Sequence, residues 1–310
     1  MARHAKKRKK MKRWKKITLI VVGILFAGLL VYLYSFYDSL TDALEAMHQP
    51  IREKSQKRVE QITLDEKDPF TVLLLGVDQR ENDRGRSDTM ILLAVNANKK
   101  SIKMISIPRD TRTEIIGKGF EDKINHAYAF GGVEMSIDTV EHFFDVPVDY
   151  FIQVNMEGFQ DIVDAVDGVT VNNDMEFTFG GTHFPKGTIT LNGEDALKYA
   201  RMRKEDPRGD FGRQMRQRQI IEAVIKEGAS LSTLTNYGDI FKALGENVRT
   251  NLTFNEMITI QRNYKEASKN IEQYQIDGRG TMINGIYYYV VPDEERMNLQ
   301  NMLKEQLEIQ

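Results

Sequence analysis

The sequence predicts an α/β fold, an α/β/α-like extracellular domain with a mixed central sheet, preceded by one N-terminal transmembrane helix. Three observations predict it. Residues 1–16 hold ten Lys/Arg and no acid, and Ile17–Tyr37 then runs twenty-one residues without a charge. Three β-rich apolar runs follow at short spacing, Phe70–Val77, Thr89–Asn96 and Ile102–Ile107. From Gly132 onward, helical and strand patterns alternate to the C-terminus, as in layered α/β domains.

A bilayer core needs about 20 apolar residues in a helix, so Ile17–Tyr37 is long enough to span. Its exit, Tyr34-Ser35-Phe36-Tyr37, has the bulky aromatics of a membrane interface rather than a small-residue cleavage site. The segment therefore reads as an uncleaved signal-anchor at the cell membrane. The basic tail, residues 1–16, stays in the cytoplasm by the positive-inside rule, and the rest lies outside, a single-pass type II arrangement. Residues 38–310 hold 33 basic and 45 acidic side chains, a net charge of −12, which argues against a nucleic-acid partner. The absence of cysteine excludes disulfides and thiolate chemistry.

Residues 38–68 read as a polar stalk with a modest Leu40/Leu44/Met47 stripe, and the catalytic domain is expected over 69–310. The three apolar runs with short connections predict antiparallel neighbours. Val77 is expected near Thr89, and Asn96 opposite Ile102, which puts Thr89 opposite Arg109. Helices are expected at Gly132–Phe144, Glu157–Val166, Phe211–Glu227, Tyr237–Gly245 and Asn255–Ala267. A further helix after Asn192 has Asn192 as its N-cap and Asp195 at its third position. Strands are expected at Tyr150–Val154, Val169–Asn173, Ile271–Ile276 and Tyr287–Val291, then a terminal helix. The Tyr287–Tyr289 run is read as strand rather than as a sugar platform. The five histidines, His4, His48, His126, His142 and His183, show no metal-ligand spacing.

The chemistry concentrates in two places. The register puts Asp78 and Asp88 on either side of one loop mouth, with Arg109 at the same end of the sheet. Such a carboxylate pair suits Mg²⁺, or Mn²⁺, completed by substrate phosphates; its other reading is two turn acids paired with Arg80, Arg84 and Arg86. Tyr199–Gln219 holds six arginines within eighteen residues around an Asp206-Pro207/Arg208-Gly209 turn. Planar, permanently charged guanidinium suits phosphate oxygens. Arg201 and Arg203 would share a face only in an extended segment, so a strand is expected over Ala200–Arg203. Arg213 and Gln217 are i, i+4 neighbours at a helix start, where backbone N–H groups favour anions. Arg208, Arg216 and Arg218 are read as structural or solvent-facing.

The set Leu74–Asp78, Gly85–Thr89, Ser106–Asp110, Tyr199–Arg203, Asp210–Arg213 and Arg216–Gln219 resembles the LytR–CpsA–Psr (LCP) family of Gram-positive cell-envelope proteins, and within it the teichoic acid transferases. The resemblance implies a phosphotransferase that moves a glycopolymer from a polyisoprenyl-pyrophosphate carrier to peptidoglycan, onto the muramic acid 6-hydroxyl. It implies Asp78 and Asp88 as Mg²⁺-associated acids. It implies Arg109, Arg201, Arg203, Arg213 and Gln217 as the pyrophosphate-binding set, with Arg86 in a matching motif. It also implies an apolar lipid tunnel beside the sheet. Two alternatives use the same residues differently. A metal-dependent pyrophosphatase or phosphodiesterase would replace the sugar hydroxyl with water, and an envelope regulatory protein would bind without reacting.

Overall fold

The computed structural model describes residues 13–28, 34, 45–52, 54–78, 85–230, 245 and 247–309. Strands β1 (Phe70–Val77), β2 (Ser87–Asn96) and β3 (Ser101–Ser106) form the expected antiparallel meander. Strand β6 (Tyr150–Val154) pairs parallel with β1, and β12 (Ile271–Gln275) pairs parallel with β3. With β11 (Val248–Thr250) the sheet has six strands in the order β11-β6-β1-β2-β3-β12, so it is mixed as expected.

The period-2 alternation of β1 and β2 sends apolar side chains to both faces, which is why the sheet is covered on both sides. Leu73, Leu75, Leu92 and Ile105 pack with Ile137, Val140 and Phe144 of α2 (His126–Phe144) and Leu299 and Leu303 of α7 (Asp293–Leu307). Phe70, Ile91, Leu93 and Met104 face the other way. They meet Ile221 and Ile225 of α5 (Asp210–Ser230) and Met257 and Ile260 of α6 (Phe254–Tyr264). A third cluster joins α5 to α3 (Met156–Ala165), α4 (Gly193–Arg201) and the pair β7 (Val169–Asn173) and β10 (Gly187–Leu191). Helix α4 begins as predicted, with the Asn192 side chain accepting from the Asp195 N–H at 2.9 Å.

Three small hairpins complete the fold: β4–β5 (Arg112–Ile115, Phe120–Lys123), β8–β9 (Phe177–Phe179, Thr182–Phe184) and β13–β14 (Arg279–Ile283, Ile286–Val290). Of these, only the last strand is expected from the sequence. Segments such as Phe120-Glu-Asp-Lys123 are too short and polar to show an apolar period.

Helix α2 starts six residues before the expected Gly132. The double glycine looks like a start, and is instead a break inside the helix, with Gly132 at φ 68°, ψ −149°. Residues 13–28 form α1. Among the described residues no helix is long and apolar enough to cross a membrane. Residues 29–33 and 35–37 of the expected span lie outside those described, as do 237–244 of the expected Tyr237–Gly245 helix.

From residue 45, the segment read as a stalk packs on the domain. Met47 and Leu64 are buried, and His48 bridges to Thr250. Arg52 meets Asp138 and Glu141, each at 2.7 Å, and Arg58 meets Asp149 at 2.7 Å. Its charges have partners on α2 and at Asp149, just before β6, that sequence spacing does not reveal.

Candidate active site

The three site-bearing loops converge because β1, β2 and β3 are consecutive neighbours ending together. The registers differ from expectation by one residue. Gly76 faces Thr89 and Val77 faces Ser87, with a bulge between Gly76 and Val77, and Asn96 faces Ser101. A side chain at Gly76 would put its Cβ 2.9 Å from the Thr89 Cβ, so this crossing needs glycine. The slip does not separate the acids from the arginine, because Arg109 stands three residues beyond the end of β3 and its long side chain spans the one-residue difference. Its Nη1 lies 2.8 Å from Asp88 Oδ1 and its Nε 3.8 Å from Asp110 Oδ2. Burial would lower the Arg109 pKa, but the Asp88 hydrogen bond, with the charges of Asp88, Asp210 and Asp110, raises it above its ordinary value.

The Arg-rich segment enters from the opposite side. No strand forms over Ala200–Arg203. Helix α4 continues through Arg201, and Met202 turns extended at φ −59°, ψ 133°, with its N–H on Lys198 O at 3.2 Å. Burial of Met202 and Ala200 in the third core cluster fixes this exit, and both Arg201 and Arg203 are exposed beside it. Helix α5 then starts at Asp210, a site residue that the spacing of the sequence does not single out. Its Oδ1 lies 2.8 Å from Arg213 Nη2 and 3.7 Å from Arg203 Nε. Burial lowers the Arg213 pKa, with Arg109 and Arg203 adding to the effect and Asp210 and Asp88 opposing it. Arg213 Nε is buried without a hydrogen-bond partner, which is an opening for an anion.

Asp78, Asp88, Arg201, Arg213 and Gln217 all border one cavity of about 500 Å³. Behind that polar rim its wall is apolar: Leu74, Leu93 and Ile152 from the sheet, Phe159 and Ile162 from α3, and Ile221, Val224 and Ile225 from α5. The cavity therefore joins a charged mouth to a greasy interior, a shape suited to an amphiphile with an anionic head. Arg86 is exposed just before β2 and does not border this cavity. The loop bearing Arg80 and Arg84 lies outside the described residues.

The remaining arginines are structural. Arg216 is fully buried, with Nη1 2.6 Å from Asp206 Oδ2, Nη2 donating to Met202 O at 2.6 Å and Nε to Tyr199 O at 3.2 Å. Its guanidinium also lies over Phe177 at 5.4 Å. Burial would raise the Asp206 pKa, but Arg208 and Arg216 hold this carboxyl well below the usual range. Arg208 binds both Asp206, at 2.9 Å, and Asp174, at 2.5 Å. Arg218 donates to Ser106 Oγ at 3.0 Å and Gln273 Oε1 at 3.1 Å. The Asp206–Arg216 clasp thus ties the α4 exit to α5 and sets where Arg201, Arg203 and Arg213 stand.

Among the described residues no cluster of three or more His/Asp/Glu side chains could hold a metal ion. Asp78 and Asp88 are the acids bordering the cavity, and Arg109 already engages Asp88 Oδ1. Two hard oxygen donors fit Mg²⁺, which retains waters and uses substrate phosphates to fill its shell.

The LytR_cpsA_psr family model matches residues 34–305. The chain belongs to this family. It is 51% identical over 302 residues, 97% of this chain and 98% of the relative, to polyisoprenyl-teichoic acid–peptidoglycan teichoic acid transferase TagU of Bacillus subtilis (strain 168). It is similar to the crystal structure of B. subtilis TagU, with TM-score 0.66 and 51% identity over 79% of this chain and 99% of that one. A structure of TagT bound to LIIa-WTA is also similar, with TM-score 0.72 and 34% identity over 83% of this chain and 97% of that one. Membership of the LytR_cpsA_psr family agrees with the resemblance carried by the Asp78, Asp88, Arg109 and Tyr199–Gln219 motifs.

Proposed function

We propose that this chain is a phosphotransferase that moves an anionic glycopolymer of the teichoic acid class from a polyisoprenyl-pyrophosphate carrier to a peptidoglycan sugar hydroxyl. The observation that carries the reading is the single cavity whose apolar wall ends at Asp78, Asp88, Arg201, Arg213 and Gln217. A prenyl chain suits the wall and its diphosphate suits the rim. Transferase relatives at about half identity over nearly the whole chain support the reaction class.

In the reaction, the acceptor hydroxyl oxygen attacks the phosphorus attached to the polymer sugar. A new P–O bond forms, the bond from that phosphorus to the bridging oxygen breaks, and polyisoprenyl phosphate leaves with the electron pair. The hydroxyl proton passes to solvent or a nearby carboxylate. Arg201, Arg203 and Arg213 neutralise the diphosphate, Gln217 donates to it, and Arg109 faces the charge that develops at the transferred phosphoryl. Asp78 and Asp88 would hold Mg²⁺, which when bound supplies further charge neutralisation at the diphosphate. The uncharged segment Ile17–Tyr37 would anchor the domain at the outer face of the cell membrane, where such a donor lies, with the basic tail held in the cytoplasm.

The test uses purified full-length protein, a defined lipid-pyrophosphate-linked oligomer and uncross-linked peptidoglycan. Polymer covalently attached to the glycan is expected. Polymer phosphate released free at the same rate with or without acceptor would favour the hydrolase reading instead, and no consumption of donor would favour the binding protein.

A further inference from the structure

We propose that the aromatic lane formed by His126, Phe130 and Phe120, on the side of Arg109 away from the lipid cavity, is the binding site for the acceptor glycan strand. The proposal rests on the transferase reading above and adds to it the place and chemistry of the second substrate's site.

The lane starts at the reacting centre. Arg109 O accepts the N–H of Asn125 at 3.3 Å, which fixes the start of α2 against the Arg109 loop. Asp110, next to Arg109, accepts from Lys123 Nζ at 2.6 Å. Asp122 contacts His126 Nδ1 at 2.7 Å and accepts from Tyr288 OH at 3.3 Å. Beyond His126 the rings continue outward: His126 to Phe130 at 6.1 Å and Phe130 to Phe120 at 5.9 Å, both edge-on. Lys118 Nζ lies 5.5 Å from the centre of the Phe130 ring.

Phe120 is 47% exposed and Phe130 38% exposed, although the domain has three apolar clusters in which to bury them. Adjoining exposed aromatics beside a reactive site mark a contact surface. Ring faces stack on the C–H faces of sugars, and flanking polar groups such as His126 Nε2 and Lys118 can bond their hydroxyls. Residues 112–134 hold three Lys/Arg and four acids, which does not match the polybasic surface that an anionic membrane attracts.

Topology favours this side. The cavity lies between the sheet and α3, α4 and α5, whereas α2 covers the opposite sheet face. Donor and acceptor would then approach the Asp88–Arg109 pair from different faces. The break at Gly132 divides α2 into the lane-bearing start, which gives Tyr128 to the core, and the longer part that gives Val133, Ile137, Val140, Phe143 and Phe144.

The experiment compares full-length wild type with Phe120→Ala, Phe130→Ala and the double variant. All are exposed sites, and unchanged thermal unfolding checks the fold. The double variant is expected to raise the acceptor KM about tenfold or more, leave donor KM unmoved, and reduce sedimentation with polymer-free peptidoglycan. Phe130→Trp is expected to keep the acceptor KM near that of wild type. An unchanged acceptor KM and unchanged glycan sedimentation in the double variant overturn the lane. Loss of binding to anionic vesicles with glycan binding intact also overturns it, in favour of a membrane contact. Failure of the wild type itself to transfer polymer to glycan would overturn the underlying reading, and that result is distinct from failure of the lane.

Discussion

Arg109 Nη1 lies 2.8 Å from Asp88 Oδ1, joining the loop after β3 to the start of β2, where Asp88 borders the cavity. The pair has two consequences. It engages one Asp88 oxygen, and under the proposed reaction it would leave the other for Mg²⁺ and aim a guanidinium at the charge developing on the phosphoryl group. A hydrogen bond between charged groups of this kind also holds both side chains in place before substrate arrives.

Replacing Arg109 by Ala should therefore lower kcat/KM for transfer by about 10²- to 10³-fold, the usual effect of losing one preorganised charge donor. Asp88→Asn should instead raise the Mg²⁺ concentration needed for half-maximal rate. Initial rates over a magnesium titration, with EDTA-treated enzyme as baseline, distinguish the two effects.

The Asp206–Arg216 clasp should govern stability. Asp206→Asn leaves a fully buried guanidinium without its counter-charge and should cost about 3–5 kcal/mol in urea unfolding. The pH dependence has a definite sign. Asp206 is held below its ordinary value, so its contribution is complete above about pH 4 and is lost as pH falls through the depressed folded pKa. The gap between wild-type and Asp206→Asn urea midpoints should be flat from neutral pH to about 5 and shrink below about 4.

Gly212 tests the same clasp from the other side. A Cβ at this position would collide with the Asp206 carboxylate. Gly212→Ala should destabilise by about 1–3 kcal/mol, as overpacking does. It should also weaken donor binding, because Arg213 follows by one residue. Urea unfolding and donor KM measured on one preparation check both.

Filling the cavity should discriminate by lipid length. Val224→Trp projects into the apolar wall, so it should raise KM for long-prenyl donors at least tenfold while a short-prenyl analogue is less affected. An equal loss for both donors would locate the lipid elsewhere.

Much of this architecture is legible in the amino-acid order alone. The apolar runs of β1, β2 and β3 and their short connections determine the meander, because a two-faced sheet must bury both sets of alternate side chains. Asn192 determines the start of α4, since its side chain has a local N–H to accept from. The spacing of Arg213 and Gln217 determines that they share a helix face. The ends of elements are less legible. Arg201 is helical and no strand follows, because burial of Ala200 and Met202 outweighs what two alternating arginines suggest.

What only the tertiary structure decided is the division of labour among like residues. Arg213 borders the cavity and Arg216, one turn on, is sealed in the core, yet nothing local separates them. The difference comes from Asp206, Phe177 and the carbonyls of Tyr199 and Met202, which surround Arg216 only after α4, α5 and β8 have packed. Asp210 gains its place among Arg109, Arg203 and Arg213 in the same way. The sequence by itself determined which elements form and which residues have the chemistry. Burial and long-range charge pairing, which depend on the assembled chain, decided which of those residues border the cavity and which hold the others in position.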